Sequence, residues 1–532
     1  MAAKFTSKIR SFVASSLIDN ITLQQINEWA SLTSYVEGDV VFYGNNKYIS
    51  KDTGQSGSTP PTHVNGSSSD GGINWLWVEY ISTTQMFKRN LFVAIGKKTE
   101  WADENNPDIP NVSDMNDFEV IKNCMTLKRV SNSNFRLAIK RYNWESGAYY
   151  SQYDDKKDPL AIDGPTSYDN PFYVLTDENN IYKCINNNNN SASTSKPTDI
   201  GTLMFTLADG YVWKYIGSID SDSIFFLTNG FIPVKYKISD DGSNQWDVQQ
   251  AAVKQSLSSF RVLKKTGTFP STMVTTLSGG TPTTPAQAFA TKNSLDNTLN
   301  QILVDPSSIG AGYDLTSKVY AKVQRAGTVG SGGTVGTITV SSGVITNITV
   351  GNAGSGYTGG AILILYDPTN TPTSEATVSV VMTVSDTIQE FTISNGGSGY
   401  SNDVMGFIIP GTAGAIGEAI FAPKEGHGFN IVSELCANTA IINARLSDET
   451  AYLSIGDTNA FRQVSLITDV YDKTTLEPAY NQFYLGPSHE SYGSLSLNNI
   501  DPNRGYVLYV NNLTKVIRST GQEEDIKICV TF

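Results

Sequence analysis

The sequence predicts a mainly β protein with a few short helices, an α+β core within a multidomain chain. Three observations predict it. Its 532 residues far exceed the roughly 100–200 of an ordinary domain. Apolar residues alternate with polar ones along most of the chain and recur at helical spacing in only a few places. Charged residues make up 17% while Gly numbers 45 and Tyr 26, so surface polarity must rest on Asn, Ser, Thr and Tyr rather than on salt-bridged helices.

In chain order, Ile9, Phe12, Val13, Ser16 and Leu17 fall on one helical stripe. Residues 28–86 form a small β module, with SYVEGDVVFYGNNKYIS, a Ser/Gly/Pro loop and then NWLWVEY. Ser113 is an N-cap signal for a second helix carrying Met115, Phe118, Ile121 and Met125. Asp209-Gly210 signals a turn, after which Tyr211, Trp213 and Tyr215 share one strand face, expected to point into a core. Residues 252–424 are poor in charge and carry a recurring signature: GAGYD at Gly310–Asp314, GSGYTGG at Gly354–Gly360 and GSGYSND at Gly397–Asp403. The tyrosines Tyr313, Tyr357 and Tyr400 are spaced 44 and 43 residues apart, which predicts three copies of a small β-unit with Gly-Tyr corners. Finally, Ile526, Ile528, Val530 and Phe532 alternate with Lys527, Cys529 and Thr531, a closing strand tied into a sheet.

Composition narrows the function classes. With 38 basic and 51 acidic residues the net charge is −13, which argues against a nucleic-acid clamp. Three histidines, His63, His427 and His489, leave few ways to build a metal site or a proton relay. Cys124, Cys184, Cys436 and Cys529 are scattered and read as reduced thiols. Neither a signal peptide nor an apolar run near the ~20 residues of a membrane helix is evident, so a soluble chain without membrane insertion is expected. Gly354–Gly359 matches GxGxxG, but AILILY follows, a strand rather than a helix; the glycines read as corners, not as a dinucleotide loop. The acidic clusters Tyr153-Asp154-Asp155 and Asp220-Ser221-Asp222 lack calcium-loop spacing and read as loop charge. No pair of carboxylates is singled out for glycoside hydrolysis. The expectation is a chain that is not an enzyme, with no catalytic residue, cofactor or metal ligand.

Two resemblances refine this. Trp29, Tyr35, Gly38-Asp39, Tyr43 and Tyr48, closing with Trp75 and Trp77, resemble the pattern of the small chitin- or cellulose-binding modules of secreted polysaccharide hydrolases. The resemblance implies a compact module in which Gly38-Asp39 turns a hairpin and the aromatics supply the core. That family binds sugar through an aromatic pair just after the last Tyr, where this chain reads ISKDTGQSG. Trp29, Tyr35, Tyr43, Tyr48, Trp75 and Trp77 are therefore candidates either for binding host surface glycans or for the module's core, the module then being a spacer or docking unit.

The remaining stretches, 1–27, 87–251 and 425–532, resemble the baseplate wedge subunit encoded by tail gene eight of contractile-tailed, T-even-like phages. The resemblance runs through TSKIRSF (Thr6–Phe12), NLFVAIGKKTEWADENNP (Asn90–Pro107), IKRYNWESGAYYSQYDD (Ile139–Asp155), DGYVWKY (Asp209–Tyr215), AFRQVSLITDV (Ala460–Val470) and EEDIKICVTF (Glu523–Phe532), in the family's order. It implies a discontinuous core carrying 28–86 and 252–424 as insertions. It further implies a virion structural protein, a homodimer that contacts other wedge proteins and is assembled in the host cytoplasm. The alternative is a tail-associated glycan-binding adhesin or polysaccharide depolymerase.

Overall fold

The computed structural model describes residues 10, 14, 27–37, 39–44, 46–80, 91–111, 113–130, 132–161, 167–264, 273–278, 282–292, 295, 299–313, 320–325, 331–356, 362–367, 370, 373–374, 376–409, 415–445, 460–474, 476, 479, 483–485, 496–517 and 525–532. Strands dominate it, and the described α-helices are short: Asp114–Lys122, Asn244–Gln250 and Ile431–Glu434. The mainly β expectation holds. Among the described residues no helix is long and apolar enough to cross a membrane. The stripe residues Ile9, Phe12, Val13, Ser16 and Leu17 lie outside the described residues.

The chain divides into two compact units, 1–141 with 219–240 and 435–532, and 142–218 with 241–434. This differs from the division drawn on the sequence, where 142–218 belonged with the first set and 252–424 stood apart. The physical reason is a set of polar ties within the second unit. Arg261 pairs with Asp154 at 2.6 Å, and Ser258 bonds His427 at 2.8 Å.

In the first unit, five strands run in the order Phe483–Leu485, Cys124–Arg129, Leu91–Gly96, Ala460–Thr468 and Tyr506–Ile517. A second sheet runs Phe231–Val234, Phe135–Lys140, Thr439–Arg445, Asp525–Thr531. The sequence LFVAIG shows why the first sheet is central. Its alternate residues Leu91, Val93 and Ile95 join Phe135, Ile442 and Ile528 of the second sheet in one core. Phe92 and Ala94 face the other way, onto Val120 and Ile121 of the helix and onto Tyr484. A strand apolar at every position is thus buried on both faces, each such side chain contributing about 1.5–3 kcal/mol. The closing strand alternates as expected, with Ile528 buried and Ile526 and Val530 packed beside it.

Ser113 caps the helix Asp114–Lys122, its hydroxyl accepting from the Asn116 amide at 3.3 Å. The expected apolar stripe is only partly right. Val120 and Ile121 are buried, Met115 is 69% exposed, and Met125 lies in the next strand, because the helix stops at Asn123.

Within the small module, Val40–Tyr43 and Asn46–Ser50 pair as a hairpin whose tip carries Gly44 at φ 51°. Gly38 lies outside the described residues. Asp39 closes the turn before the hairpin, its carboxylate accepting from the Val36 amide at 2.8 Å, rather than forming the tip itself.

In the second unit, the sheet Tyr173–Leu175, Asn180–Asn186, Val212–Ser218, Met204–Thr206 buries Tyr211, Trp213 and Tyr215 against Tyr150 and Tyr182. The intervening Val212, Lys214 and Ile216 are buried too, so this strand is covered on both faces. A six-stranded sheet has the order Leu257–Lys264, Ala415–Phe421, Tyr320–Arg325, Met273–Ser278, Ala288–Lys292 and Leu299–Val304, and three further two-stranded ribbons accompany it.

Two of the Gly-Tyr corners close in the same way. Tyr313 Oη accepts from the Ala286 amide at 2.9 Å, and Tyr400 Oη accepts from the Ala376 amide at 3.0 Å. In each, the residue between the glycines bridges the residue just after a TPT segment, Ala311 to Thr284 and Ser398 to Ser374. The paired glycines are left-handed at 310 and 312 and again at 397 and 399, a conformation glycine adopts without steric cost. Gly354 and Gly356 share it, while Tyr357 lies outside the described residues. The middle copy leads into the strand Ile362–Tyr366, which leaves its GxGxxG without the helix a dinucleotide loop requires.

Candidate functional site

The six aromatic candidates of the small module pack on one another. Tyr35, Tyr48 and Trp75 are buried with Val41 and Ile73, and Trp29, Tyr43 and Trp77 lean against that cluster half-buried. Tyr35 meets Trp75 edge-on at 5.1 Å. Three of their polar ends are spent inside the module: Trp29 Nε1 donates to Asp70 at 3.1 Å, Trp77 Nε1 to Asn46 at 3.0 Å, and Tyr48 Oη to the His63 carbonyl at 3.0 Å, while the buried Trp75 Nε1 has no hydrogen-bond partner. A sugar-stacking platform needs an open ring face, whereas this arrangement is that of a core assembled from aromatics.

The acidic clusters singled out in the sequence are engaged by cations. Asp154 is held by Arg261, and Asp220 by Lys235 at 2.5 Å and Lys237 at 3.2 Å.

Sequence reasoning missed a buried polar cluster in the second unit. Lys183, in the middle of the strand Asn180–Asn186, places Nζ 2.6 Å from Glu434 Oε1 and 3.0 Å from His427 Nδ1. His427 Nε2 lies 2.8 Å from Ser258 Oγ, and the Gly428 amide donates to Glu434 Oε2 at 2.7 Å. The ammonium also sits 3.4 Å above the Tyr153 ring, a desolvated cation–π contact. Gly426 and Gly428, at φ 100° and 81°, turn the chain so that His427 points inward. A Cβ at Gly426 would stand 2.7 Å from the Val253 backbone, so the GHG spelling is a steric requirement.

Serine, histidine and glutamate at these spacings have the outline of a hydrolase relay. His427 Nδ1 faces both the donating Lys183 ammonium at 3.0 Å and the accepting Glu434 Oε1 at 3.2 Å, so either ring tautomer finds a partner there. A nucleophilic serine must meet its substrate, and Ser258 is only 2% exposed, which closes it to one. Burial, then the neighbouring Lys183 charge, lowers the His427 pKa to about 4, keeping the ring neutral. Burial alone would raise Glu434, but Lys183 and His427 hold it down at about 2. The cluster is an ion pair with a neutral imidazole beside it, and it joins the strands Asn180–Asn186 and Leu257–Lys264, the turn at His427 and the helix Ile431–Glu434 of the second unit.

The first unit carries a surface groove of about 880 Å3 between the helix Asp114–Lys122 and the turn at 502–506. Met115, Phe118, Tyr471 and Tyr506 supply apolar walls, and Arg504 stacks over Tyr471 at 4.9 Å. Beside it the outer strand Tyr506–Ile517 exposes Tyr506, Leu508 and Ile517. Its backbone edge is blunted: Asp117 accepts from the Val507 amide at 3.3 Å and Trp101 Nε1 donates to the Leu513 carbonyl at 2.9 Å. Contacts here would be made by side chains rather than by strand addition.

Two stretches that carry the wedge resemblance interlock in this unit. Ala460–Thr468 pairs with Leu91–Gly96, and the buried Arg462 reaches Glu104 at 2.6 Å and the Lys98 carbonyl at 2.9 Å. Trp101 and the acidic loop after it are thereby fastened to the sheet. No family model matches the chain, and no curated protein matches it.

Proposed function

We propose that this chain is a structural subunit of a contractile-tail baseplate, a wedge component that assembles as a homodimer with neighbouring wedge proteins and rearranges when the tail contracts. The observation that carries the reading is the Arg462–Glu104 lock. The segments WADENNP and AFRQVSLITDV, recognised separately in sequence, are physically one feature. Matching two halves of one interaction is harder to obtain by chance than matching two unrelated strings. The groove lined by Met115, Phe118, Tyr471, Arg504 and Tyr506 supports an assembly role, since tyrosine, methionine and arginine are favoured in contact surfaces; Asp114, Asp117 and Asp469 give its wall an acidic side. The dense aromatic core of residues 27–80 supports a spacer or docking module more than a sugar platform. Mass spectrometry of purified phage particles tests the proposal: the chain should be found in intact virions and in isolated baseplates. Its absence from both would overturn it.

A further inference from the structure

The groove of the first unit divides its charges between its walls. Asp114 and Asp117 stand on the helix Asp114–Lys122, and Asp469 follows the strand Ala460–Thr468. The guanidinium of Arg504 stands on the facing turn at 502–506. No ion pair spans the gap: Arg504 lies over the Tyr471 ring at 4.9 Å, and Asp117 accepts from the Val507 amide at 3.3 Å. Among the described residues neither Asp114 nor Arg504 has an ionic partner, and both are exposed. Apolar groups share the groove with these charges, Met115 at 69% exposure and Tyr506 at 63%.

A patch with opposite charges on its two sides complements itself under a two-fold rotation. In such an isologous contact residue i meets j of the second copy, and j meets i. One rotation therefore sets Arg504 of the partner subunit on Asp114, and Arg504 on the partner's Asp114, so that a single contact closes two identical ion pairs. Guanidinium and carboxylate are matched in shape as well as in charge. Met115 and Tyr506 would then form an apolar centre with the charges around it, the usual anatomy of a contact surface. A stable interface takes about 800 Å2 from each partner. The groove alone falls short of that, and the adjoining strand Tyr506–Ile517 extends the face with exposed Leu508, Tyr509 and Ile517.

We infer that this groove is a two-fold interface with a second copy of the chain, closed by reciprocal Arg504–Asp114 ion pairs. The inference rests on the homodimer of the proposed function, and adds the face and the charges that join the copies.

The test is charge reversal on the full chain, with the dimer dissociation constant read by sedimentation equilibrium. Arg504→Asp and Asp114→Arg should each weaken self-association about thirtyfold or more, because each sets two like charges against each other twice. An equimolar mixture of the two variants should dimerise again, since both ion pairs then reform with their signs exchanged. The double variant carrying both reversals in one chain should dimerise with itself for the same reason, which keeps the test decisive if one single variant fails to fold. Single variants as dimeric as the parent would overturn this interface and leave the homodimer standing. Single variants that stay monomeric when mixed would overturn it too, because Asp114 and Arg504 would then face a different chain. A monomeric parent would overturn the interface and the homodimer together, while the chain's place in the virion is read separately from the particles.

Discussion

Lys183 Nζ and Glu434 Oε1 lie 2.6 Å apart across 251 residues of sequence, in an interior where both side chains are buried. Two buried charges are tolerated because each supplies what the other lost on leaving water, and because His427 and the Gly428 amide take up the remaining valences. Lys183→Met leaves the carboxylate uncompensated. We expect a loss of about 3–5 kcal/mol in urea unfolding of the second unit. Lys183→Met combined with Glu434→Leu should recover much of it, and a double variant as unstable as the single one would contradict the pairing.

The same cluster predicts acid lability. At pH 5 the His427 ring is protonated in the unfolded chain, whose value is near 6.5, but not in the folded protein, whose value is about 4. The unfolded state therefore binds the extra proton, and stability falls as pH drops from about 6.5 toward 4. Glu434, held at about 2 against an ordinary 4.5, adds a further loss below pH 4.5. Unfolding midpoints measured from pH 7 to 4 should decline steadily, and His427→Gln should flatten the upper half of that decline. A flat parent profile would contradict it.

The Gly-Tyr corners rank their own substitutions. At Gly397, φ is 65° and a Cβ would stand 2.5 Å from the Ser374 carbonyl and 2.7 Å from the Ala376 amide, so Gly397→Ala strains backbone on both counts. Tyr400→Phe removes one hydrogen bond and leaves the Ala376 amide unpartnered, about 1–3 kcal/mol. Gly397→Ala should be the more damaging, and Gly310→Ala should behave alike, because its Cβ would meet Ala286 N at 2.6 Å. Equal midpoints for Gly397→Ala and the parent would refute the backbone clash, and a loss at only one of positions 397 and 310 would refute the equivalence of the corners.

If the groove of the first unit is an assembly surface, Met115→Glu and Tyr506→Glu should spare folding and abolish association. Both side chains are mostly exposed, at 69% and 63%, so the stability change should stay within about 0.5 kcal/mol. Light scattering should give about twice the 57.7 kDa chain mass for the parent and a single chain mass for the variants. Variants that remain dimeric would move the contact away from this groove.

The features legible in the sequence were local. Alternation placed Tyr211, Trp213 and Tyr215 in a core, Ser113 announced its helix, and the repeated glycines marked corners that are left-handed in all three copies. The helix stripe misled at Met115 because a nine-residue helix buries only Val120 and Ile121. The corner partners Thr284 with Ala286 and Ser374 with Ala376 escaped notice because such residues look like any loop until the tyrosine hydroxyl is seen accepting from the alanine amide. The buried cluster was illegible for a different reason. Its members come from residues 183, 258, 427 and 434, and no spacing rule links a lysine on one sheet to a histidine in a distant turn. The only local trace was His427 between two glycines.

The proposed role as a building block of a contractile-tail baseplate is tested most directly by electron cryomicroscopy of the phage particle. The account predicts paired copies of the two-sheet first unit in the wedge region of the baseplate, with the Tyr506–Met115 face against a neighbouring subunit. A baseplate map in which every wedge density is filled by other chains would contradict it.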